Sequence, residues 1–455
     1  MDRIAGIDAD RLAGFAARES ARFAASRPVT QTALQAGAEV FLDRVPMHWM
    51  RDWPMPFPLL VTRAKGARIE DLDGYGIDDF CLGDTGSMFG HSPAPVAKAI
   101  RRQARRGLTY MLPTEDALAA GRLLSDIFGP FRWQVATTAT DANRFAIRVA
   151  RAVTRRAKVM VFNGCYHGTV DDVMVALDGG QTVARPGLVG QVADLSAGAV
   201  SVEFNDLAAV EAALAGGDIA AILTEPVMTN CCMVLPDPGF LERVRALASR
   251  HGALLIVDET HTISSGYGGY ARIHGLHPDM LVVGKSVAGG VPCAVWGLSE
   301  DVAARFASYD AGRAPGHSGM GTTLSANPLQ FAALRANLAG VMTKDNHARM
   351  DRRAARLAKG LAAVIARHGL PWHVVRVGAR VEFICAPGHL KNGTEAAAAH
   401  QPRLEAALHV GLVNRGCLIA PFHNMMLASP STTKGQVDRL IAAFDEILTE
   451  LTRQE

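Results

Sequence analysis

The chain has 455 residues, 49% hydrophobic, 20% charged and 6% aromatic, which excludes a largely disordered or collagen-like polymer and leaves room for two or three cored domains. Its 47 basic and 44 acidic residues give a net charge of +3, too small an excess to mark a nucleic-acid binder. Apolar stretches such as Ala253–Val257 fall far short of the roughly 20 residues a membrane helix needs, so no membrane partner is expected. Asp2, Asp8 and Asp10 argue against a secretory signal, and seven cysteines without a C-x-x-C pair fit a reduced, cytoplasmic protein.

Residues 1 to about 45 carry apolar side chains at helical spacing (Leu12, Phe15, Ala16, later Phe23) and predict an amphipathic helix. Residues 46–58 form a Pro-punctuated loop whose Trp49 and Trp53 either cap a core or wall a substrate pocket. Short strands follow at 60–62 and 67–75, with a turn at Asp73-Gly74. The long middle section alternates apolar runs (Trp133–Ala136, Val159–Phe162, Ala220–Leu223, Ala253–Val257, Met280–Val283, Ala294–Leu298) with helical stretches such as Asn143–Thr154, Leu207–Leu214 and Phe240–Arg250. Strands apolar throughout, alternating with helices, predict a mostly parallel sheet covered on both faces. Beyond a helical segment at 340–367 come strands at Val374–Ala386 and Leu418–Ala428 and a closing helix at Gly435–Leu451. The expected architecture is α/β. An N-terminal segment (1–85) joins a small α+β domain (339–455), and both flank a large domain (86–338).

Ligands of such sheets bind beyond the carboxyl ends of the strands, and four of those junctions carry chemistry. The turn Thr137–Asn143 opens a helix whose free N–H groups suit a phosphate, although simple N-capping is the commoner use of such residues. Tyr166 and His167, flanked by glycines, can offer an aromatic face, or be a core tyrosine and a satisfied histidine. Asp258 and Glu259 end a buried strand, where a charge needs a partner or a task. Of eight lysines against 39 arginines, only Lys285 ends an apolar strand, before a glycine-rich turn. Burial there would favour the neutral amine that a Schiff base requires. Anion cup, aromatic platform, strand-end acid and desolvated lysine together match pyridoxal phosphate: its phosphate, its ring, its ring nitrogen and its aldehyde. The 27 residues between Asp258 and Lys285 suit adjacent strands.

With these residues in place, the chain resembles the class III (fold type I) pyridoxal-phosphate aminotransferases, in the branch similar to glutamate-1-semialdehyde aminomutase. The likeness runs from about residue 40 to the end and is sharpest over Asp258–Pro292. It implies that Lys285 forms the internal aldimine and Asp258 pairs with the pyridinium. Tyr166 and Thr260 would pack on the two ring faces. Glu225 is an acid near the cofactor, and Thr138, Ala139 and Thr140 form the phosphate turn. Thr323 would reach the phosphate of a neighbouring subunit, which implies a homodimer, or a dimer of dimers, with composite sites. The turn departs from the family pattern in having Ala139 for glycine and Asp141 for glutamate, and Thr260 and His261 are unusual enough to touch substrate. The stretch Ala420–Leu427 lacks the arginine of many class III aminotransferases and looks more like the aminomutase version, so Arg380 is a candidate carboxylate clamp. The resemblance implies an aminotransferase passing nitrogen from a small-molecule amine, an apolar or aromatic one if Trp49 and Trp53 line the pocket, to a keto acid. The alternative is an aminomutase acting on one substrate. Competing patterns fail in context: Gly266–Ala271 matches a dinucleotide fingerprint but lacks the adjacent strand and helix. The residues preceding Gly284-Lys285-Ser286 do not complete a P-loop, and no metal-ligand spacing occurs.

Overall fold

All six apolar runs of the middle section become strands of one sheet in the computed structural model, which describes residues 2–421 and 423–453. With one further strand, the sheet has seven: in chain order β1 (Arg132–Ala136), β2 (Lys158–Phe162), β3 (Ala199–Val202), β4 (Ile219–Thr224), β5 (Leu254–Asp258), β6 (Met280–Val283) and β7 (Ala294–Leu298), arranged β3-β2-β4-β5-β6-β7-β1. Pairings among β3, β2, β4, β5 and β6 are parallel, whereas β7 runs antiparallel to both neighbours. An antiparallel partner needs no helical crossover, so β6 returns as β7 through the short connection Gly284–Cys293. Every residue of β4, β5, β6 and β7 is buried, as strands covered on both faces must be.

Contacts divide the chain into two units. One comprises residues 94–344 with 390–398, and the other residues 1–93, 345–389 and 399–455. The segment 390–398 therefore packs with the middle of the chain, although the sequence places it in the C-terminal region.

In the second unit, the single helix expected over residues 1–45 is two: Ala9–Ser26 and Pro28–Ala36. Pro28 explains the break, since it cannot donate to a preceding turn yet suits a first helical position. Leu12, Phe15 and Phe23 are buried, as their spacing predicts. Gly378 splits the expected run at Val374–Ala386 into the hairpin His373–Val377 and Arg380–Ile384, with Met425–Leu427 pairing on its far side. Cys417–Leu418 joins Gly76–Asp79 in parallel, so N- and C-terminal segments share a sheet. The helices Lys344–Arg367 and Lys434–Thr452 cover a core that includes Phe15, Leu357, Phe383 and Phe444.

Phe444 lies 4.8 Å from Phe383, ring centroid to centroid, and is fully buried. Phe444→Ala should cost about 3–5 kcal/mol of stability through lost burial and an unfilled cavity. The fall in the urea midpoint of this unit's unfolding transition measures it.

Candidate active site

A carboxylate at the end of a wholly buried strand organises the site. Asp258 closes β5, and its register partner on β6 is Val282, three residues before Lys285, so neighbouring parallel strands deliver both groups to the same end of the sheet. Asp258 Oδ2 accepts from Asn143 Nδ2 at 2.8 Å and contacts His167 Nδ1 at 3.0 Å, while Oδ1 accepts from the Thr260 N–H at 3.0 Å. Asn143 Nδ2 also donates to the His167 carbonyl. Burial alone would raise the Asp258 pKa, but His167, Thr260 and Asn143 outweigh it and hold the carboxylate below its ordinary range. Burial likewise opposes a charged His167, yet Cys165 and Asp258 beside it prevail and lift it to about 10. Both shifts favour the charged forms, a carboxylate facing an imidazolium, with His167 Nε2 buried and without a hydrogen-bond partner among the described residues.

Three turns close around this pair. Thr138 caps the helix Ala139–Thr154, its hydroxyl accepting from the Asp141 N–H. The N–H groups of Ala139 and Thr140 remain without a protein acceptor among the described residues. The cap reading and the anion-cup reading therefore both hold, on different donors. Gly168, at φ +81°, brings the Tyr166-His167 turn against this cup. A Cβ there would stand 2.1 Å from Thr140 Oγ1, the hydroxyl that accepts from the Thr169 N–H at 3.1 Å. Gly284 does the same for the lysine turn, since a Cβ on it would lie 2.7 Å from Ala139 Cβ and 3.2 Å from Thr260 Oγ1. Helix start, aromatic turn, strand-end acid and lysine turn thus converge.

The remaining residues divide. Glu225 follows β4, is buried, and accepts from Asn230 Nδ2 and from both the N–H and hydroxyl of Thr229. Desolvation raises its pKa against the pull of His167. Tyr166 is 40% exposed, its ring available rather than cored. Lys285 is half-buried, not enclosed as expected, because it sits beyond the strand end at the mouth of the sheet, with its backbone at φ +45°. Thr260 and His261 are buried, and Thr260 Oγ1 has no hydrogen-bond partner among the described residues. Thr323 is exposed in a segment whose Ser325 hydroxyl lies 3.2 Å from that of Thr137.

Three candidates lie in the other unit. Trp49 and Trp53 line an apolar cavity of about 460 Å³ with Phe41, Met50 and Leu60. Arg380 is fully buried and donates to Thr85 Oγ1, so a guanidinium proposed as a carboxylate clamp is closed off from solutes in this structure. Within the stretch Ala420–Leu427, Phe422 lies outside the described residues.

Sequence reasoning passed over Asn143 and treated His167 as a satisfied histidine. Asn143 stands four residues after Ala139, hence on the same helix face as the cup, and that spacing was its only signal.

These features fit a phosphorylated, flat, nitrogen-containing cofactor: two unpaired N–H donors for the phosphate, an available tyrosine ring, a buried ionised carboxylate and a lysine at one strand mouth. The family model "Aminotransferase class-III" matches residues 50–448, and the chain belongs to that family. It is an enzyme of the fold type I, pyridoxal-phosphate-dependent class. A glutamate-1-semialdehyde 2,1-aminomutase from Sorangium cellulosum (strain So ce56) is 35% identical over 403 residues, covering 86% of this chain and 89% of the relative. A crystal structure of a glutamate-1-semialdehyde aminomutase from Pseudomonas aeruginosa PAO1 superposes with TM-score 0.96 at 47% identity, covering 98% of this chain and all of that one. A β-phenylalanine aminotransferase from Variovorax paradoxus gives TM-score 0.85 at 25% identity, covering 96% of this chain and 97% of that one.

Because His167 is raised, the stability it contributes is full below the unfolded histidine value of about 6.5 and is lost as pH rises through about 10. The Asp258 contribution runs the other way: it is present above the ordinary aspartate pKa and lost on acidification. Nitrogen-15 NMR of the imidazole should therefore show a doubly protonated ring across pH 7–9. A neutral ring at pH 7 contradicts the ion pair.

Proposed function

We propose that the chain is a pyridoxal-phosphate-dependent aminomutase of the glutamate-1-semialdehyde type. Such an isomerase moves an amino group from carbon 2 to carbon 1 of its substrate, turning glutamate-1-semialdehyde into 5-amino-4-oxopentanoate with no other reactant consumed. The observation that carries this reading is the near-full-length similarity to proteins of that name, at 35% and 47% identity. It reverses the order of the two activities drawn from the resemblance, where the aminotransferase stood first.

The cofactor, when bound, supplies an aldehyde for a primary amine and a cationic ring that withdraws electrons from the adjacent carbon. The chain does the rest. Thr138, Ala139 and Thr140 form the phosphate turn, in which the N–H groups of Ala139 and Thr140 would hold the phosphate at a helix start. Tyr166 covers one ring face and Thr260 the other. Asp258, kept ionised by His167 and Asn143, holds the ring nitrogen protonated. Lys285 is the amine that binds the aldehyde. Its Nζ would also be the group that moves a proton on and off the substrate carbon as general base and acid. Glu225 adds a buried acid behind His167.

A homodimer belongs to this reading, with Thr323 contributing to the partner's phosphate site. Met111, Leu112, Leu118 and Leu324 are exposed near Thr323, an apolar surface suited to a second copy.

An aminotransferase acting on an apolar or aromatic β-amino acid with a keto acid is the second reading. It is favoured by the likeness to the β-phenylalanine enzyme. The two separate cleanly. Glutamate-1-semialdehyde alone should be converted to 5-amino-4-oxopentanoate without added keto acid. Alanine formation from pyruvate and a β-amino acid, with no rearrangement of the semialdehyde, selects the transferase instead.

Lys285→Ala should lower turnover by about three orders of magnitude or more and prevent borohydride from fixing cofactor mass to the chain. Asp258→Asn should retain that mass adduct while lowering kcat about a hundredfold or more, the scale of removing a preorganised charge from a dry site. Steady-state rates and intact mass spectra check both.

A further inference from the structure

The helices Ala94–Ala104 and Pro328–Gly340 pack against each other and leave between them a cleft of about 910 Å³. Six cations surround it: Lys98, Arg101, Arg102, Arg105, Arg106 and Arg335. Arg102 and Arg335 share one carboxylate, Asp116. The other four have no acidic partner among the described residues and are exposed. What sets them apart is their convergence on one concavity, whereas arginines such as Arg27, Arg132 and Arg245 are each held by a carboxylate of their own, Asp71, Glu300 and Asp279. The overall charge of +3 hides this concentration. The floor of the cleft is small and apolar, made of Pro95, Ala99, Ala332, Ala336 and Ala339.

We propose that this cleft is a binding site for a compact polyphosphate, independent of the cofactor site. Uncompensated cations converging on one concavity make a local positive potential that only a multiply charged anion neutralises, and guanidinium groups match phosphate oxygens in pairs. The volume is that of a small-molecule pocket. Nucleic acid fits less well, because no aromatic side chain lines the cleft for base stacking.

The test uses the cofactor-saturated enzyme at low salt and titrates inorganic tripolyphosphate by calorimetry, with ATP, orthophosphate and a short single-stranded RNA as parallel arms. The doubly substituted Arg101→Glu, Arg105→Glu protein is the control, with its fold checked by thermal melting. Saturable binding of one tripolyphosphate per chain is expected, weakened at least about tenfold by the double substitution and falling as added salt screens the charges. ATP binding as tightly as tripolyphosphate points to a nucleotide as the source of the phosphates, and tighter tripolyphosphate binding to the bare chain of phosphates. Orthophosphate binding as tightly as either, RNA binding more tightly, no heat at low salt, or equal affinity in the double variant overturns the proposal.

Discussion

A carboxylate that must stay ionised where no water reaches it is the constraint on which the site depends. Left alone, Asp258 would take up a proton, because an unpaired charge in a low-dielectric interior is the more costly state. His167 from a turn and Asn143 from a helix prevent this, and Thr260 supplies a third donor from the chain just beyond. Each of these residues is placed by another requirement. The helix start sets Asn143, the glycine at 168 lets His167 approach, and the β5 exit sets Thr260. The electrostatics of one oxygen pair therefore dictate how closely four separate segments pack, which is why substitutions at Gly168 or Gly284 would act on the acid without touching it.

Much of this was legible in the sequence because buried parallel strands write themselves as unbroken apolar runs. Six of the seven strands of the large sheet announced themselves that way, and Asp258 and Lys285 were conspicuous as charges at their ends. The strand Ala199–Val202 did not, being a short edge strand interrupted by Ser201. The helix Pro328–Gly340 was also missed, since its alanines blur the apolar stripe that periodicity needs. The partners of Asp258 were harder still. Nothing local marks an asparagine 115 residues upstream as a hydrogen-bond donor, and a histidine beside a tyrosine reads equally well as core.

The candidates for substrate contact show the opposite case. Trp49 and Trp53 line an apolar cavity within their own unit, while Arg380 was chosen for its chemistry at a strand start and is sealed among side chains. A charged residue in a strand says little about which way its environment faces. Burial, which decides that, depends on neighbours distant in sequence: here Thr85, reached across 295 positions.

The left-handed backbone at Lys285 sets evolvability against durability at this position. A residue with a Cβ held at φ +45° stores roughly 1–3 kcal/mol that glycine would release. Selection for thermal endurance alone would therefore drift toward glycine at 285, yielding a sturdier chain stripped of its amine. At this position the residue the chemistry needs and the residue the backbone would prefer are different ones.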